Sequence, residues 1–164
     1  MSSATVTYAT HDGADVALTY HLPAGNGPWP VLLWFHGGGL LMGTKDSAWE
    51  HLRRAPERHG LCVVSADYRL APQTCMPGIM ADIKACMDYL RSPRFLAETN
   101  GRVDQSRIIV SGGSAGGWLA LLIGCGTGFA VCGLQAPAAP LGVAALYPIT
   151  DIEAPFFTTP QHRE

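Results

Sequence analysis

Residues 108–123 read IIVSGGSAGGWLALLI, and this stretch decides the fold. Residues 108–111 are apolar enough to predict a strand buried within a sheet, and residues 114–123 predict an apolar helix. Between them, residues 112–116 (GGSAG) match G-x-S-x-G, the pattern of an abrupt strand-to-helix turn with a serine at its apex. The stretch therefore predicts a strand, a turn and a helix in direct succession, with Ser114 at the turn.

Ser114 admits two interpretations. In the first, a strained turn presents its hydroxyl as a nucleophile, and Gly112 and Gly116 keep side chains out of the crowded turn. In the second, Ser114 only caps a helix that follows a glycine-rich turn. The predicted strand before it and the predicted helix after it favour the nucleophile, because a nucleophile turn requires both.

Outward from this stretch, strands and helices alternate along the chain. Continuous apolar runs predict three more strands that are buried on both faces, at residues 31–36, 61–66 and 141–147. The spacing of apolar residues predicts helices over residues 46–59, with Asp46 as its cap, and over residues 80–90.

The N-terminal region differs from the rest, because residues 5–10 and 15–21 predict a hairpin that turns at Asp12-Gly13. Together these elements predict an α/β fold, in which a mostly parallel sheet carries helices on both faces. We expect a single domain, with residues 1–30 as a hairpin region and residues 31–164 as the core.

A glycine run follows the first of the buried strands, at His36, Gly37, Gly38 and Gly39. Acyl transfer needs N–H donors aimed at the oxygen on which negative charge develops, and glycines let a substrate approach the backbone closely. An HGGG run supplies such donors in lipases and esterases, together with the N–H that follows the nucleophile. The sequence thus predicts an oxyanion hole from Gly37, Gly38 and Ala115. We interpret His36 as a structural imidazole that holds the loop.

Residues 67–72 (DYRLAP) directly follow the second buried strand. This segment has no catalytic chemistry of its own, so we expect it to position other groups. Asp67 and Arg69 could either pair with each other or brace the glycine loop.

Taken in order, HGGG, DYRLAP and GGSAGG resemble the hormone-sensitive-lipase-like branch of the α/β-hydrolase fold, which includes many microbial carboxylesterases. The resemblance spans roughly residues 31–151. It implies that Ser114 attacks the carbonyl of a small-molecule ester and forms an acyl-enzyme, with no metal and no organic cofactor. Gln73 departs from the pattern, since the family most often has Glu there.

The same resemblance implies that the catalytic triad is incomplete in this sequence. In this fold the acid and then the histidine follow the serine, after a seventh and an eighth strand. Residues 141–147 correspond to the sixth strand, so we expect a partial domain whose acid and base lie beyond residue 164. Asp151 and His162 stand in the right order, but no later strands would hold them. The alternative function is a catalytically inactive, hydrolase-like binding module.

Composition and charge argue against several classes of function. With 11 Lys+Arg against 13 Asp+Glu, the chain has no basic excess with which to bind nucleic acid. Its sequence shows no secretory signal and no apolar run long enough to span a membrane, so we expect a cytoplasmic protein. We also expect self-association through an exposed sheet edge at residues 141–147, which carry no charge.

The five cysteines are odd in number and form no C-x-x-C pair, so they predict neither a zinc site nor a redox site. Most of them lie in apolar runs. We therefore expect them to be buried, reduced thiols.

Overall fold

The computed structural model describes residues 1–48 and 50–159 of the chain. Within these ranges six strands form one sheet. The strands are β1 (Ser2–His11), β2 (Ala14–Leu22), β3 (Trp29–Phe35), β4 (Cys62–Ala66), β5 (Val103–Gly113) and β6 (Gly142–Leu146). The helices are α1 (Glu50–His59), α2 (Met76–Leu90), α3 (Pro93–Glu98), α4 (Ala115–Cys125) and α5 (Pro155–Thr158). Two short 3₁₀ helices cover Lys45–Ser47 and Ala130–Cys132.

The strands lie in the order β1-β2-β4-β3-β5-β6. Strand β2 is antiparallel to both β1 and β4, whereas the pairs β3–β4, β3–β5 and β5–β6 are parallel. The predicted mostly parallel sheet is therefore confirmed. The predicted hairpin is also confirmed, since β1 and β2 join through Asp12 and Gly13, whose φ angles are 53° and 78°.

Helices cover both faces of the sheet, as predicted. On one face, Leu52 and Ala55 of α1 pack against Trp34 and Val63. The other face carries the larger core, to which α2, α3 and α4 contribute their apolar sides. Successive residues of a strand point to opposite faces of the sheet. Since both faces are covered by helices, β3 and β4 are apolar almost throughout.

The predicted helix over residues 46–59 is wrong at its start. A 3₁₀ helix covers Lys45–Ser47, and the α-helix spans Glu50–His59. Asp46 does not cap the α-helix, because it lies inside the 3₁₀ helix. The cap of that 3₁₀ helix is Thr44, whose hydroxyl oxygen accepts a hydrogen bond from the N–H of Asp46 at 3.2 Å.

The start of the next helix was also predicted wrongly. Helix α2 starts at Met76 and not at residue 80. Pro77 lies in its first turn, where backbone N–H groups have no partner within the helix, so a proline without an N–H is tolerated there. Helix α3 (Pro93–Glu98) was not predicted at all. It begins with Ser92 as its cap, whose side chain accepts from the N–H of Phe95.

The cysteines only partly follow expectation. All five are free, as expected, but only Cys62 and Cys86 are buried, whereas Cys75 and Cys125 are exposed. Burial raises the pKa of the Cys62 thiol to about 12 and raises that of Cys86 as well. These two thiols therefore stay protonated and behave as core residues.

Candidate active site

Ser114 lies between β5 and α4, at the predicted abrupt turn. Its φ and ψ angles are 55° and −118°, a region that residues other than glycine rarely adopt. Its backbone N–H donates to the carbonyl oxygen of Leu146 in β6 at 3.0 Å. The Ser114 side chain makes no capping hydrogen bond to α4, so the interpretation of Ser114 as a mere helix cap is wrong.

Glycines around Ser114 let three pieces of backbone meet. A Cβ placed on Gly116 would lie 2.1 Å from the carbonyl oxygen of Phe35. A Cβ on Gly112 would lie 2.3 Å from the carbonyl carbon of Gly116. Neither contact is possible for a real side chain, so the start of α4 can approach the end of β3 only with glycine at these positions.

The glycine loop after β3 reaches the nucleophile turn. A Cβ on Gly37 would stand 3.4 Å from the Cβ of Ser114. Gly38 has a φ of 110°, and its carbonyl oxygen accepts from the N–H groups of Leu41 and Met42 at 3.0 and 3.2 Å. This tight turn fixes the backbone of residues 37–42 beside Ser114.

His36 is buried, with only 1% of its surface exposed. Its ring stacks on that of Tyr68, with centroids 4.3 Å apart and planes 12° apart. The Nδ1–H donates to the carbonyl oxygen of Gly37 at 2.7 Å, which fixes the neutral tautomer because a carbonyl can only accept. Burial lowers the pKa of His36, although the Gly37 hydrogen bond and the charge of Asp67 act in the opposite direction.

The DYRLAP segment holds the loop through contacts that the sequence did not reveal. The Tyr68 hydroxyl donates to the carbonyl oxygen of His36 at 2.9 Å. The Asp67 carboxylate accepts from the N–H of Lys45 at 2.6 Å, just beyond the glycine loop. The N–H of Ala71 donates to the carbonyl oxygen of Leu40 at 2.9 Å. Asp67 therefore anchors the chain that leaves the glycine loop, whereas its expected role of bracing the loop itself stays a prediction.

The other expected role, a pair between Asp67 and Arg69, is wrong. Arg69 instead binds the fully buried Asp82 of α2, with Nη2 2.9 Å from Oδ1. Its Nη1 lies 2.8 Å from the carboxylate of Asp12 in the β1–β2 turn. The hydrogen bond with Asp82 raises the pKa of Arg69. Arg69 thus joins the hairpin, the DYRLAP segment and α2.

Ser114 and the glycine loop open onto one cleft of about 360 Å³. Its lining includes His36, Gly37, Gly38 and Ser114, which belong to the predicted site, whereas Gly39 is exposed outside it. The lining also includes residues that the motifs did not indicate: Trp34, Met42, Gly43, Ser47, Gly113 and Tyr147. A second cavity of about 250 Å³ lies elsewhere, beside Thr19, His21 and Ser65.

Of the two remaining triad candidates, only Asp151 lies within the described residues. Asp151 is exposed, and its carboxylate accepts from the N–H of Glu153 at 3.0 Å, in a turn of its own backbone. His162 lies outside the described residues. Within residues 1–48 and 50–159, no three His, Cys, Asp or Glu side chains cluster as metal ligands would. The helices in these same ranges are too short or too polar to cross a membrane.

Comparison with known proteins agrees with this geometry. A profile of the alpha/beta hydrolase fold matches residues 32–163. The chain belongs to the hormone-sensitive-lipase-like α/β-hydrolase family. Lipase 2 of Moraxella sp. is 35% identical over 150 residues, which cover 77% of this chain and 33% of the lipase. Esterase LipI of Mycobacterium tuberculosis is 41% identical over 96 residues, which cover 57% of this chain and 28% of the esterase.

Among solved structures, a bacterial heroin esterase superimposes on this α/β hydrolase with a TM-score of 0.74 at 33% sequence identity. The match covers 96% of this chain and 48% of the heroin esterase. The chain therefore spans about a third of the length of these curated relatives and about half of the solved structure.

Proposed function

We propose that this hydrolase cleaves carboxylic esters of small molecules through an acyl-enzyme on Ser114. The observation that carries the proposal is the strained backbone of Ser114, which stands beside the glycine loop and makes no capping bond. Strain of this kind costs of order 1–3 kcal/mol and collects at functional sites. The esterase and lipase names of the relatives support the same reaction class.

In the proposed reaction, the Ser114 Oγ bonds to the ester carbonyl carbon and gives its proton to a general base. The carbonyl electron pair moves to the oxygen, which accepts hydrogen bonds from the N–H groups of Gly37, Gly38 and Ala115. Collapse of this intermediate breaks the bond to the alcohol, which leaves with a proton. Water then attacks the acyl-enzyme and releases the acid.

We propose that the general base is not His36. Its Nδ1–H is engaged by Gly37, its ring is stacked on Tyr68, and burial lowers its pKa. In the proposal, His36, Gly39, Asp67 and Arg69 instead support the loop.

The triad acid and histidine lie in sequence beyond residue 164, as the shared length with the relatives suggests. Residues 1–164 are then the nucleophile-bearing part of one larger domain. A cytoplasmic location is also proposed, which the five free cysteines support.

The proposal is tested by labelling the purified chain with diethyl p-nitrophenyl phosphate and measuring its intact mass. Reaction forms a bond from Ser114 Oγ to phosphorus, and p-nitrophenolate leaves. Because the proposed general base lies outside residues 1–164, labelling should be slow. After long incubation we expect at most one diethylphosphoryl group per chain, none on Ser114→Ala, and unchanged labelling of the control Ser106→Ala. Turnover of p-nitrophenyl acetate should be slow, since a site without its full triad keeps only about 10³–10⁴-fold over water. Equal labelling of Ser114→Ala and wild type would favour the inactive binding module.

A further inference from the structure

A tyrosine that belongs to none of the motifs stands beside the nucleophile. Tyr147 directly follows β6, is 59% exposed and lines the same cleft as Ser114. Its φ is 37°, which is a genuine outlier for a bulky side chain. Pro148 follows it, and a residue before proline normally favours an extended backbone. Such strain persists only where the surroundings impose it, and it collects at active sites and ligand clamps.

The surroundings that impose it include the nucleophile itself. The N–H of Ser114 donates to the carbonyl oxygen of Leu146, the residue before Tyr147. Strand β6 is further tied to β5 by the Ser111 hydroxyl, which donates to the carbonyl oxygen of Ala144 at 2.7 Å. The backbone of Tyr147 is therefore held in a fixed position relative to Ser114.

The ring of Tyr147 extends back over the residue before the nucleophile. A Cβ placed on Gly113 would lie 2.7 Å from the tyrosine oxygen and 3.1 Å from Cζ. Glycine at this position thus makes room for the ring. Met42 lines the same cleft and is 66% exposed, so Ser114 shares its cleft with two large, accessible side chains.

We propose that Tyr147 is a specificity-determining residue. Its ring forms the wall of the cleft over Gly113, contacts the apolar group bonded to the reacting carbonyl and excludes bulky groups there. The substrates favoured are therefore esters of small, apolar acyl groups. This inference rests on the proposed role of Ser114 as the nucleophile.

The test uses three p-nitrophenyl phosphonates whose alkyl group is methyl, n-butyl or benzyl. Each transfers its phosphonyl group to Ser114 Oγ and releases p-nitrophenolate, and intact mass gives the rate constant for labelling. Tyr147→Gly removes the ring and adopts a positive φ without cost. Tyr147→Phe keeps the ring but not the hydroxyl. Val131→Ala alters an exposed apolar residue outside the cleft and serves as the control.

We expect the benzyl-to-methyl rate ratio to rise at least about tenfold in Tyr147→Gly, the scale of a size restriction in an apolar pocket. Tyr147→Phe and Val131→Ala should keep the wild-type ratio. Tyr147→Ala should raise the benzyl-to-methyl ratio as much as Tyr147→Gly does. That agreement would show that loss of the ring, and not the greater backbone freedom of glycine, changes the ratio. Labelling of Ser114 with the same ratio in all variants would overturn this inference alone. Labelling should be slow without the triad base, so each reaction is followed over a long incubation. Wild type that takes up none of the three phosphonates even then would overturn the proposed nucleophile and this inference with it.

Discussion

The nucleophile turn and strand β6 are neighbours in the sheet, yet they are packed in opposite ways. At the turn, an added Cβ on Gly116 would lie 2.1 Å from the carbonyl oxygen of Phe35. In β6, an added Cβ on Gly142 would meet nothing within 4 Å. Leu141 and Tyr147, on either side of β6, are 65% and 59% exposed. Backbone contacts thus enforce the geometry of Ser114, whereas β6 has open space beside Gly142 and exposed residues on either side.

The largest effect is expected from the buried ion pair between Arg69 and Asp82, which holds the DYRLAP segment on α2. Asp82→Ala leaves Arg69 without its buried partner, and Arg69 lies in the segment that binds the glycine loop. The free energy of unfolding, measured in urea, should fall by about 3–5 kcal/mol. The matched control is Asp88→Ala on the same helix, whose exposed pair with Lys84 should contribute at most about 0.5 kcal/mol. Equal losses in the two variants would show that Arg69 does not depend on Asp82.

A pair of glycine variants tests the packing difference directly. Gly116→Ala forces backbone apart, so we expect a loss of about 1–3 kcal/mol in the free energy of unfolding and no labelling of Ser114. Gly142→Ala should change that free energy by less than about 0.5 kcal/mol and leave labelling intact. Thermal or urea unfolding, with intact mass after labelling, gives both quantities. The comparison fails if Gly142→Ala is as damaging as Gly116→Ala.

A smaller effect concerns pH and the loop histidine. Burial lowers the pKa of His36 in the folded state. As pH falls, the His36 imidazole therefore becomes protonated in the unfolded chain at a higher pH than in the folded chain. The stability that His36 contributes is therefore complete above about pH 6.5 and is lost as pH falls below that value. His36→Phe keeps the stack on Tyr68 but cannot titrate. Its destabilisation relative to wild type should be smaller at pH 5.5 than at pH 7.5. The same value at both pH values would mean that His36 ionises equally in the folded and unfolded chains.

The smallest effect is expected at the open side of β6. We propose that chains of residues 1–164 associate through this strand, which carries no charge and lies at one end of the described sheet. Ala144→Lys places a charge at its exposed position and should lower the weight-average mass in sedimentation equilibrium. The matched variant Ala130→Lys, exposed but outside the sheet, should not. A wild-type chain that sediments as a stable monomer would contradict association through β6.

The nucleophile turn, the position of the glycine loop and the buried strands were predicted correctly because each depends on a short run of contiguous residues. G-x-S-x-G needs only a strand, a turn and a helix in succession, and HGGG needs only a strand before it, so both could be placed from the sequence. The parallel sheet followed for the same reason, because each buried strand is a continuous apolar run. Some of the contacts that require the glycines of the two motifs, such as that of Gly116 with Phe35, join segments far apart in the chain and are visible only in the structure.

The parts of the site that the sequence could not show depend on residues far apart in the chain. The partner of Arg69 is Asp82, and the choice follows from how α2 packs beneath the DYRLAP segment. Tyr147 reaches the cleft only because β6 pairs with β5 in a register that sets Leu146 beside Gly113. The sequence around this tyrosine, at the end of an apolar run, did not indicate that its ring lies in the cleft. Only the proline that follows it marks the position as unusual.

The most direct test of the central claim is to locate the acyl group. The purified chain is mixed with p-nitrophenyl acetate, quenched in acid and digested, and the acetylated peptides are sequenced by tandem mass spectrometry. We expect acetyl on Ser114 of the wild-type chain and none at position 114 of Ser114→Ala or of Gly116→Ala. Acetyl spread over lysines and the N-terminus, with Ser114 unmodified, would contradict the assignment of Ser114 as the nucleophile.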